Sequence, residues 1–145
     1  MTGADLDDEI TALLRRTDQR YTRGRRALVA TLQEVGQPVT IPQILEASDG
    51  LAQSSVYRNL VVLEEAGVVT RIVTNDDFAR YELAESLTEH HHHLICSSCG
   101  DVSDFSLGHH TEASLDTALH QIAHAVGFTV ETHRLDLVGV CADCS

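Results

Sequence analysis

Two Cys-x-x-Cys pairs and a run of four histidines are the residues of this sequence best suited to chemistry. The run EHHHHLICSSCG, residues 89–100, places the histidines just ahead of one pair. A purification tag normally sits at a terminus, so we treat this internal run as part of the protein. The cysteines are Cys96, Cys99, Cys141 and Cys144. Two such chelating turns can close a tetrahedral thiolate site, so their spacing predicts structural Zn²⁺.

The histidine run itself is predicted to be extended. Residues 90–96 read as a strand, in which successive side chains point to opposite faces. His91 and His93 then lie on one face, and His90 and His92 lie on the other. Two metal sites can therefore flank a single strand.

Length and composition limit the remaining possibilities. The chain has 145 residues, of which 43% are hydrophobic, which suits one ordinary domain or two small ones. It contains no apolar stretch of about 18 residues that could span a bilayer, and its acidic start, MTGADLDDEI, is unlike a signal peptide. We therefore expect a soluble cytoplasmic protein with no membrane partner, whose cysteines bind metal rather than form disulfides.

Charge divides the chain into two parts. The formal net charge is −12, but residues 10–81 carry nine arginines against eight acids, whereas residues 82–145 carry one arginine against ten acids. All nine histidines and all four cysteines follow residue 89. Because basic residues and metal ligands are segregated, we predict two modules, residues 1–84 and residues 85–145.

The first module is predicted to contain four helices and a hairpin. The helices are residues 7–16; a second from Thr22 to about Glu34, ended by Gly36; a short third that Thr40 caps and Asp49 and Gly50 end; and a fourth that Ser54 or Ser55 caps and Gly67 ends. Residues 68–83 then alternate as two strands around a turn that starts at Asn75. This order is typical of a winged helix-turn-helix, in which the later helix enters the DNA major groove.

Polar and basic side chains on these helices are candidates for DNA contact, because hydroxyls and guanidinium groups reach phosphate oxygens and base edges. The predicted DNA-binding residues are Arg23, Arg25, Arg26, Ser54, Ser55, Tyr57 and Arg58. From the pattern alone, an ordinary helical domain with solvated arginines is the alternative. The net charge near +1 over residues 10–81 is a weak electrostatic signature for a DNA-binding domain.

The second module is predicted to be a small α/β domain with an antiparallel sheet, which makes the whole chain α+β. Residues 111–127 form a helix with an apolar stripe of Leu115, Leu119, Ile122 and Val126. A second stripe, Glu112, Asp116, His120 and His124, is either a solvated face or a set of metal ligands. Residues 128–141 alternate as a strand. One helix on so thin a sheet leaves apolar surface uncovered, so we expect pairing with a second copy.

With these parts in order, the sequence resembles the ferric uptake regulator (Fur) family of bacterial metal-dependent transcription factors from about residue 7 onward. The resemblance is carried by YTRGRRALVATL, SSVYRNLVVLEEAGVV, HHHHLICSSCG and GFTVETHRLDLVGVCADC. It implies a homodimeric winged-helix repressor that binds double-stranded operator DNA, with Tyr57 and Arg58 at the DNA. It also implies that the C-terminal half is the dimerisation domain.

The family's metal sites can be carried over position by position. The four cysteines match its structural zinc site. In its regulatory site, at the hinge between the domains, the matching residues are Glu82, His91, His93 and Asp104. A further site of some members matches His90, His92, His133 and an acid of the helix, with Asp116 as the best match and Glu112 as the second choice.

The sequence departs from the family at one ligand position. Many members supply a regulatory histidine just before the third helix, where this chain has Gln37. The thiolate typical of zinc-sensing members is also missing, since residues 84–88 read AESLT. Histidine and carboxylate ligands suit Fe²⁺, Mn²⁺, Ni²⁺ or Zn²⁺. We therefore expect an iron, manganese or peroxide sensor, with a zinc or nickel sensor as the alternative; in a peroxide sensor, bound Fe²⁺ directs oxidation to His91 or His93.

Three alternatives belong to other classes of protein. A zinc hydrolase would use His91, His93 and a carboxylate around an open water position, but the chain lacks a His-Glu-x-x-His or comparable motif. A metal-buffering protein would bind metal through the histidine run without affinity for DNA. A thioredoxin-like redox site needs a Cys-x-x-Cys at a helix start within a βαβ unit, which neither pair fits. We therefore expect a regulator and not an enzyme.

Overall fold

The computed structural model of the chain describes residues 2–74 and 76–145. In chain order, its elements are α1 (Gly3–Arg15), α2 (Arg23–Val35), α3 (Ile41–Ala47), α4 (Gln53–Glu65), β1 (Val69–Val73), β2 (Ala79–Leu83), a 3₁₀ turn (Glu85–Leu87), β3 (His92–Cys96), β4 (Val102–Phe105), α5 (His109–Ala125) and β5 (Asp136–Gly139). The predicted α+β class is confirmed. The residue that starts the predicted hairpin turn, Asn75, lies outside the described residues.

Local capping sets the boundaries of two helices as predicted. Thr22 accepts a hydrogen bond from the Arg25 N–H at the start of α2, and Gly36 ends that helix. Thr40 and Gln43 form a reciprocal capping box at the start of α3. These side chains satisfy amide groups that the first helical turn leaves unpaired.

The start of α4 differs from the prediction. Ala52 occupies the N-cap position and makes no side-chain cap, whereas Ser54 and Ser55 lie inside the first turn. The predicted serine cap is therefore wrong. Burial of Val56 and Leu60 in the core, rather than a cap, holds this helix in place.

One apolar core joins α1–α4 to the hairpin. Ile10, Leu28 and Leu60, which come from three different helices, are each at most 1% exposed in this core. Strands β1 and β2 pair antiparallel, and Val39 exchanges two backbone hydrogen bonds with Tyr81 of β2. The order and pairing of these elements are those of a winged helix-turn-helix.

The C-terminal sheet has the strand order β4-β3-β5. Strand β3 pairs antiparallel with β4 and parallel with β5. The predicted antiparallel sheet is therefore right for one pair and wrong for the other, because the chain crosses back through α5 before it enters β5. The strand predicted over residues 128–141 is limited to Asp136–Gly139, since β3 has only five residues and pairs with β5 over four of them.

Several large apolar side chains of α5 and of β5 are largely uncovered. Ile122 and Val126 of the predicted stripe are 67% and 78% exposed, and Leu137 and Val138 of β5 are 50% and 68% exposed. Apolar exposure on this scale is typical of a contact surface. The described residues of one chain do not cover it.

A buried arginine joins the hairpin to the first cysteine pair. Arg80 is 4% exposed and donates to both carboxylate oxygens of Asp76, at 2.9 and 3.0 Å. Hydrogen bonding from Arg80 holds the pKa of Asp76 at about 2. Gly100 permits the close approach, because a Cβ atom at this position would lie 2.6 Å from Asp76 Cγ.

Replacing Gly100 by alanine is expected to disrupt this contact. Gly100 and Gly50 both have positive φ, +80° and +77°, but nothing lies within 4 Å of a Cβ atom at Gly50. Gly50→Ala should lower the free energy of unfolding by about 1 kcal/mol. Gly100→Ala should lower it by about 1–3 kcal/mol more, because the methyl group displaces Asp76. Chemical denaturation of both variants measures the difference, and equal losses would contradict the close approach of Asp76.

Candidate metal centres

The four cysteines meet beside the ends of β3 and β5. Cys96 ends β3 and Cys99 follows it, while Cys141 and Cys144 follow β5. Their sulfur atoms lie within 4.8 Å of one another. Hydrogen bonds from the backbone N–H groups of Cys99 and Cys141 lower the pKa of Cys96 to about 6. A thiolate is therefore favoured at Cys96, and the donor set fits a tetrahedral thiophilic ion.

A second group of ligands lies where β2 approaches β3 and β4. We call Glu82, His91, His93 and Asp104 the hinge cluster; their ligand atoms lie within 4.8 Å of one another. Glu82 Oε1 is 2.7 Å from His93 Nε2 and 3.1 Å from His91 Nε2. Asp104 approaches the same two rings at 3.5 and 3.6 Å. The four residues predicted for the regulatory site therefore lie together.

The two carboxylates of the hinge cluster have pKa values that are shifted in opposite directions. Burial, followed by hydrogen bonding to Glu82, raises the pKa of Asp104 to about 7. Burial also acts to raise the pKa of Glu82, but hydrogen bonds, led by the one from His93, leave it below its ordinary value. Asp104 Oδ1 is buried and has no hydrogen-bond partner among the described residues. A buried carboxylate oxygen without a hydrogen-bond partner fits a ligand atom of a divalent-cation site. The cluster as a whole offers nitrogen and oxygen ligands for one such cation.

The other two histidines of the run face α5. We call His90, His92, Glu112 and His133 the α5 cluster, whose ligand atoms also lie within 4.8 Å of one another. Glu112 Oε1 is 2.9 Å from His90 Nε2 and 2.8 Å from His133 Nε2. Its other oxygen, Oε2, is 2.8 Å from His92 Nε2. Hydrogen bonding, first from His92, lowers the pKa of Glu112 to about 2. Three imidazoles around one carboxylate also fit a divalent cation.

The acid in the α5 cluster is Glu112, the second choice from the sequence, and not Asp116. Asp116 lies one turn further along α5, where its Oδ1 is 3.7 Å from His133 Nδ1 and its side chain is 53% exposed. Asp116 therefore approaches Nδ1 of His133, whereas Nε2 of the same ring faces the cluster. The other stripe residues, His120 and His124, are exposed and join none of the clusters found in the described part of the chain.

A cavity of about 310 Å³ borders the hinge cluster on the side of α2. Gln33 and Gln37 from the N-terminal half line it together with His91 and Asp104 of the cluster. The residue that replaces the expected histidine, Gln37, therefore borders the same cavity as the cluster.

The start of α4 presents polar side chains to solvent. Tyr57 is 59% exposed. Ser54, Tyr57 and Arg58 line one open depression together with Ile41 of α3. Ser55, on the neighbouring side of the turn, is half-buried. The structure thus leaves this end of the helix accessible to a large partner.

Two of the predicted DNA-binding arginines are engaged within the protein. Arg25 Nε donates to Asn59 Oδ1 of α4 at 3.1 Å. Arg26 Nη1 donates to Asp7 Oδ2 of α1 at 3.0 Å. Arg25 therefore braces α4 and Asp7 neutralises Arg26, whereas Arg23 is exposed.

Two acids near these sites carry no signal in the sequence. Glu85 contacts His90 Nδ1 from the 3₁₀ turn, and Asp7 pairs with Arg26 from α1. Each is one of several acids in its segment, and only the approach of a distant segment distinguishes it from its neighbours. A spacing rule could not have selected either residue.

The winged helix, the sheet and the three ligand clusters define a class of protein, namely transcription regulators that bind DNA and metal. The chain belongs to the Ferric uptake regulator family, whose model matches residues 16–138. Within the described residues, no helix has the length and apolar character needed to cross a membrane.

Individual relatives agree with this assignment. The chain is 33% identical over 141 residues to the peroxide operon regulator of Bacillus subtilis (strain 168), which covers 94% of this chain and 92% of that protein. It is also 33% identical over 140 residues to the ferric uptake regulation protein of Campylobacter jejuni, with coverages of 92% and 84%. The solved structure of the Helicobacter pylori ferric uptake regulator shares the fold, with a TM-score of 0.78 at 21% identity over 99% of this chain and 94% of that chain.

The raised pKa of Asp104 predicts how stability depends on pH. Because the pKa of Asp104 is raised from 3.8 to about 7, its protonation stabilises the folded chain fully at low pH, and this contribution is lost as the pH rises through 7. The asparagine in Asp104→Asn is neutral at every pH, so this variant should not lose that stability as the pH rises. Relative to the wild type, its free energy of unfolding should rise by on the order of 1–3 kcal/mol between about pH 4.5 and 7.5.

Chemical denaturation at several pH values, with a chelator that keeps divalent cations off the histidine clusters, measures this difference. Titrating groups outside the hinge cluster cancel because they are common to both chains, whereas Glu82, His91 and His93 respond to Asp104 and contribute to the measured difference. A difference that stays constant over this range would contradict the raised pKa of Asp104.

Proposed function

We propose that the protein is a homodimeric, metal-responsive transcriptional repressor that binds double-stranded operator DNA in the cytoplasm and has no enzymatic activity. In this proposal, residues 1–84 form the winged-helix DNA-binding domain and residues 85–145 form the metal-binding dimerisation domain. Relatives named as a peroxide operon regulator and a ferric uptake regulation protein support a role in gene regulation.

The hinge cluster is the observation that carries the proposal. Glu82 lies in β2 of the hairpin, whereas His91, His93 and Asp104 lie in or beside β3 and β4. Ligands divided in this way tie the hairpin to the C-terminal sheet when they share one cation. Binding that is tighter in the tied arrangement raises the population of that arrangement. DNA that prefers the same arrangement must then tighten metal binding by the same factor.

The residues of the hinge cluster also determine its electrostatics. Glu82 and Asp104 lie too close together in a buried site to ionise independently, so one of them retains a proton near neutral pH. A bound divalent cation supplies the positive charge that allows both carboxylates to ionise. The proton then leaves Asp104, and both of its oxygens become available beside His91 and His93. Metal binding is therefore expected to release protons.

We assign structural Zn²⁺ to the four cysteines, because an all-thiolate tetrahedral set closes the site and pins the C-terminal segment to β3. The hinge cluster takes the regulatory cation, Fe²⁺, Mn²⁺, Zn²⁺ or Ni²⁺. The α5 cluster takes a second cation of the same group through His90, His92, His133 and Glu112. Both histidine clusters lack a thiolate, which supports iron or manganese at least as well as zinc.

Iron, manganese or peroxide is the proposed signal, with zinc or nickel as the alternative. The name of the Bacillus relative supports the peroxide response. Fe²⁺ held by the hinge cluster would direct the two-electron oxidation of His91 or His93 by peroxide, which is reduced to water, and the loss of a ligand would release DNA. Mn²⁺ in the same cluster would leave the protein insensitive. An equal peroxide response with both metals would contradict this part of the proposal.

The proposed DNA surface is the exposed start of α4 together with the arginines at the start of α2. Ser54, Ser55, Tyr57 and Arg58 contact bases or phosphates, and Arg23 contacts the backbone. The other two arginines of the predicted set have separate roles. Arg25 acts indirectly, because it orients α4 through Asn59. Arg26 contacts phosphate only after its ion pair with Asp7 breaks.

The uncovered face of α5 and β5 supports a homodimer. The four apolar side chains described there, Ile122, Val126, Leu137 and Val138, are at least half exposed. A second copy offers the same face, which is the requirement for a twofold interface. Dimerisation then places two winged helices on two operator half-sites.

DNA binding measured against added metal tests the proposal. Zinc-loaded protein is titrated onto its own promoter DNA under anaerobic conditions at fixed salt with Fe²⁺, Mn²⁺, Ni²⁺ or further Zn²⁺. At least one metal should raise DNA affinity about tenfold or more. His91→Ala should remove that gain, and His124→Ala, an exposed histidine outside the clusters, should keep it. Metal binding without any gain in DNA affinity would favour metal buffering instead.

Restoring a histidine at position 37 should strengthen the switch. Gln37 borders the cavity beside the hinge cluster, so Gln37→His offers an imidazole from the N-terminal half. We expect tighter binding of the regulatory metal and a larger metal-dependent gain in DNA affinity, by about tenfold. Gln37→Asn, which offers no ring nitrogen, is the control. Calorimetry and the DNA titration report the two effects, and a Gln37→His chain identical to the control in both would show that position 37 does not reach the metal.

A further inference from the structure

Glu85 opens the 3₁₀ turn between β2 and β3, and it contacts both histidine clusters. Its Oε1 pairs with His90 Nδ1 of the α5 cluster. The same oxygen accepts a hydrogen bond from the backbone N–H of His91, a hinge-cluster residue, at 3.3 Å. Neither contact belongs to the ligand sets described above. One carboxylate therefore lies between two candidate metal sites.

The contact with His90 fixes the orientation and tautomer of that ring. His90 Nε2 faces Glu112 and His133, so Nε2 is the atom that would bind a cation. A histidine that ligates through Nε2 carries its proton on Nδ1 and donates it to an outer acceptor. Glu85 Oε1 is that acceptor.

The other two histidines of the α5 cluster lack such support within the described residues. His92 Nδ1 is buried without a hydrogen-bond partner. His133 Nδ1 is 3.7 Å from Asp116 Oδ1, which is beyond hydrogen-bond distance. His90 is thus the cluster histidine whose outer nitrogen is held by a carboxylate.

The contact with His91 carries the restraint to the hinge cluster. His91 Nε2 lies 3.1 Å from Glu82 Oε1, and Glu82 lies in β2, three residues before Glu85. When Glu85 is held by His90, the 3₁₀ turn and the His91 backbone are held as well. Glu82 and His91, two ligands of the hinge cluster, are then fixed relative to each other.

We propose that Glu85 is a positioning residue that couples the two histidine clusters, so that cation binding in the α5 cluster strengthens cation binding in the hinge cluster. The inference rests on the proposed function in that both clusters must bind divalent cations. Coupling of this kind requires reciprocity, so an occupied hinge cluster tightens the α5 cluster by the same factor.

Titration of the full-length, zinc-loaded chain with Co²⁺ tests the coupling, because calorimetry and visible absorption together separate the two clusters. Glu85→Ala should weaken Co²⁺ binding in the α5 cluster by about tenfold to a hundredfold. Glu85→Gln, which keeps an oxygen acceptor, should restore part of the affinity. The matched control is Glu64→Gln, which removes an exposed carboxylate of α4 outside the three clusters and should leave both affinities unchanged.

A double-mutant cycle isolates the coupling itself. His133→Ala disables the α5 cluster and should weaken Co²⁺ binding in the hinge cluster when Glu85 is present. The same substitution should have no effect on the hinge cluster in the Glu85→Ala background. A second readout needs no metal: nitrogen NMR of the imidazoles should show His90 protonated on Nδ1 in the wild type, and Glu85→Ala should lose that preference.

The outcomes separate this inference from the proposed function. If both clusters bind Co²⁺ and Glu85→Ala matches the wild type in affinities and in the His90 tautomer, the coupling is wrong and the regulator proposal stands. If neither cluster of the wild type binds Co²⁺, the proposed function and the coupling are both overturned.

Discussion

The alternation of side chains along one extended segment is the constraint on which both histidine clusters depend. Successive residues point to opposite faces. His91 and His93 therefore meet Glu82 and Asp104, whereas His90 and His92 face α5. A shift of one residue in the pairing of β3 would exchange the two sets. The pairing of β3 with β4 on one side and β5 on the other prevents that shift.

The charges of the hinge cluster explain why its protonation and its cation binding are linked. The hinge cluster places two carboxylates in a half-buried pocket, where the pKa of Asp104 is raised and that of Glu82 is lowered, so Asp104 is the carboxyl that favours its protonated form. Because Glu82 belongs to the hairpin and Asp104 to the sheet, whatever neutralises this pair also joins the two halves of the chain. Arg80 and Asp76 provide a second, separate junction, because both lie beside Gly100 and Arg80 Nη2 is 3.9 Å from Asp101 Oδ1, next to the first cysteine pair.

The structure gives two neighbouring arginines different partners, which depend on side-chain direction. Arg26 is adjacent in sequence to Arg25 and equally basic, yet it pairs with Asp7 of α1 while Arg25 braces α4 through Asn59. Sequence spacing places both arginines near the start of α2 and cannot tell which partner each one meets. A guanidinium used inside the protein is less available to phosphate than one that is free in solvent.

The sequence by itself determined the features that local physics controls. Threonine caps at Thr22 and Thr40, the chelating turn within each Cys-x-x-Cys pair and the division of the histidines between two faces all follow from neighbours within a few residues. Tertiary structure alone decided the parallel pairing of β5, the choice of Glu112 over Asp116 and the position of Glu85 between the clusters. Each of these depends on how segments distant in sequence approach one another, and such an approach is fixed by packing of the whole core rather than by local spacing.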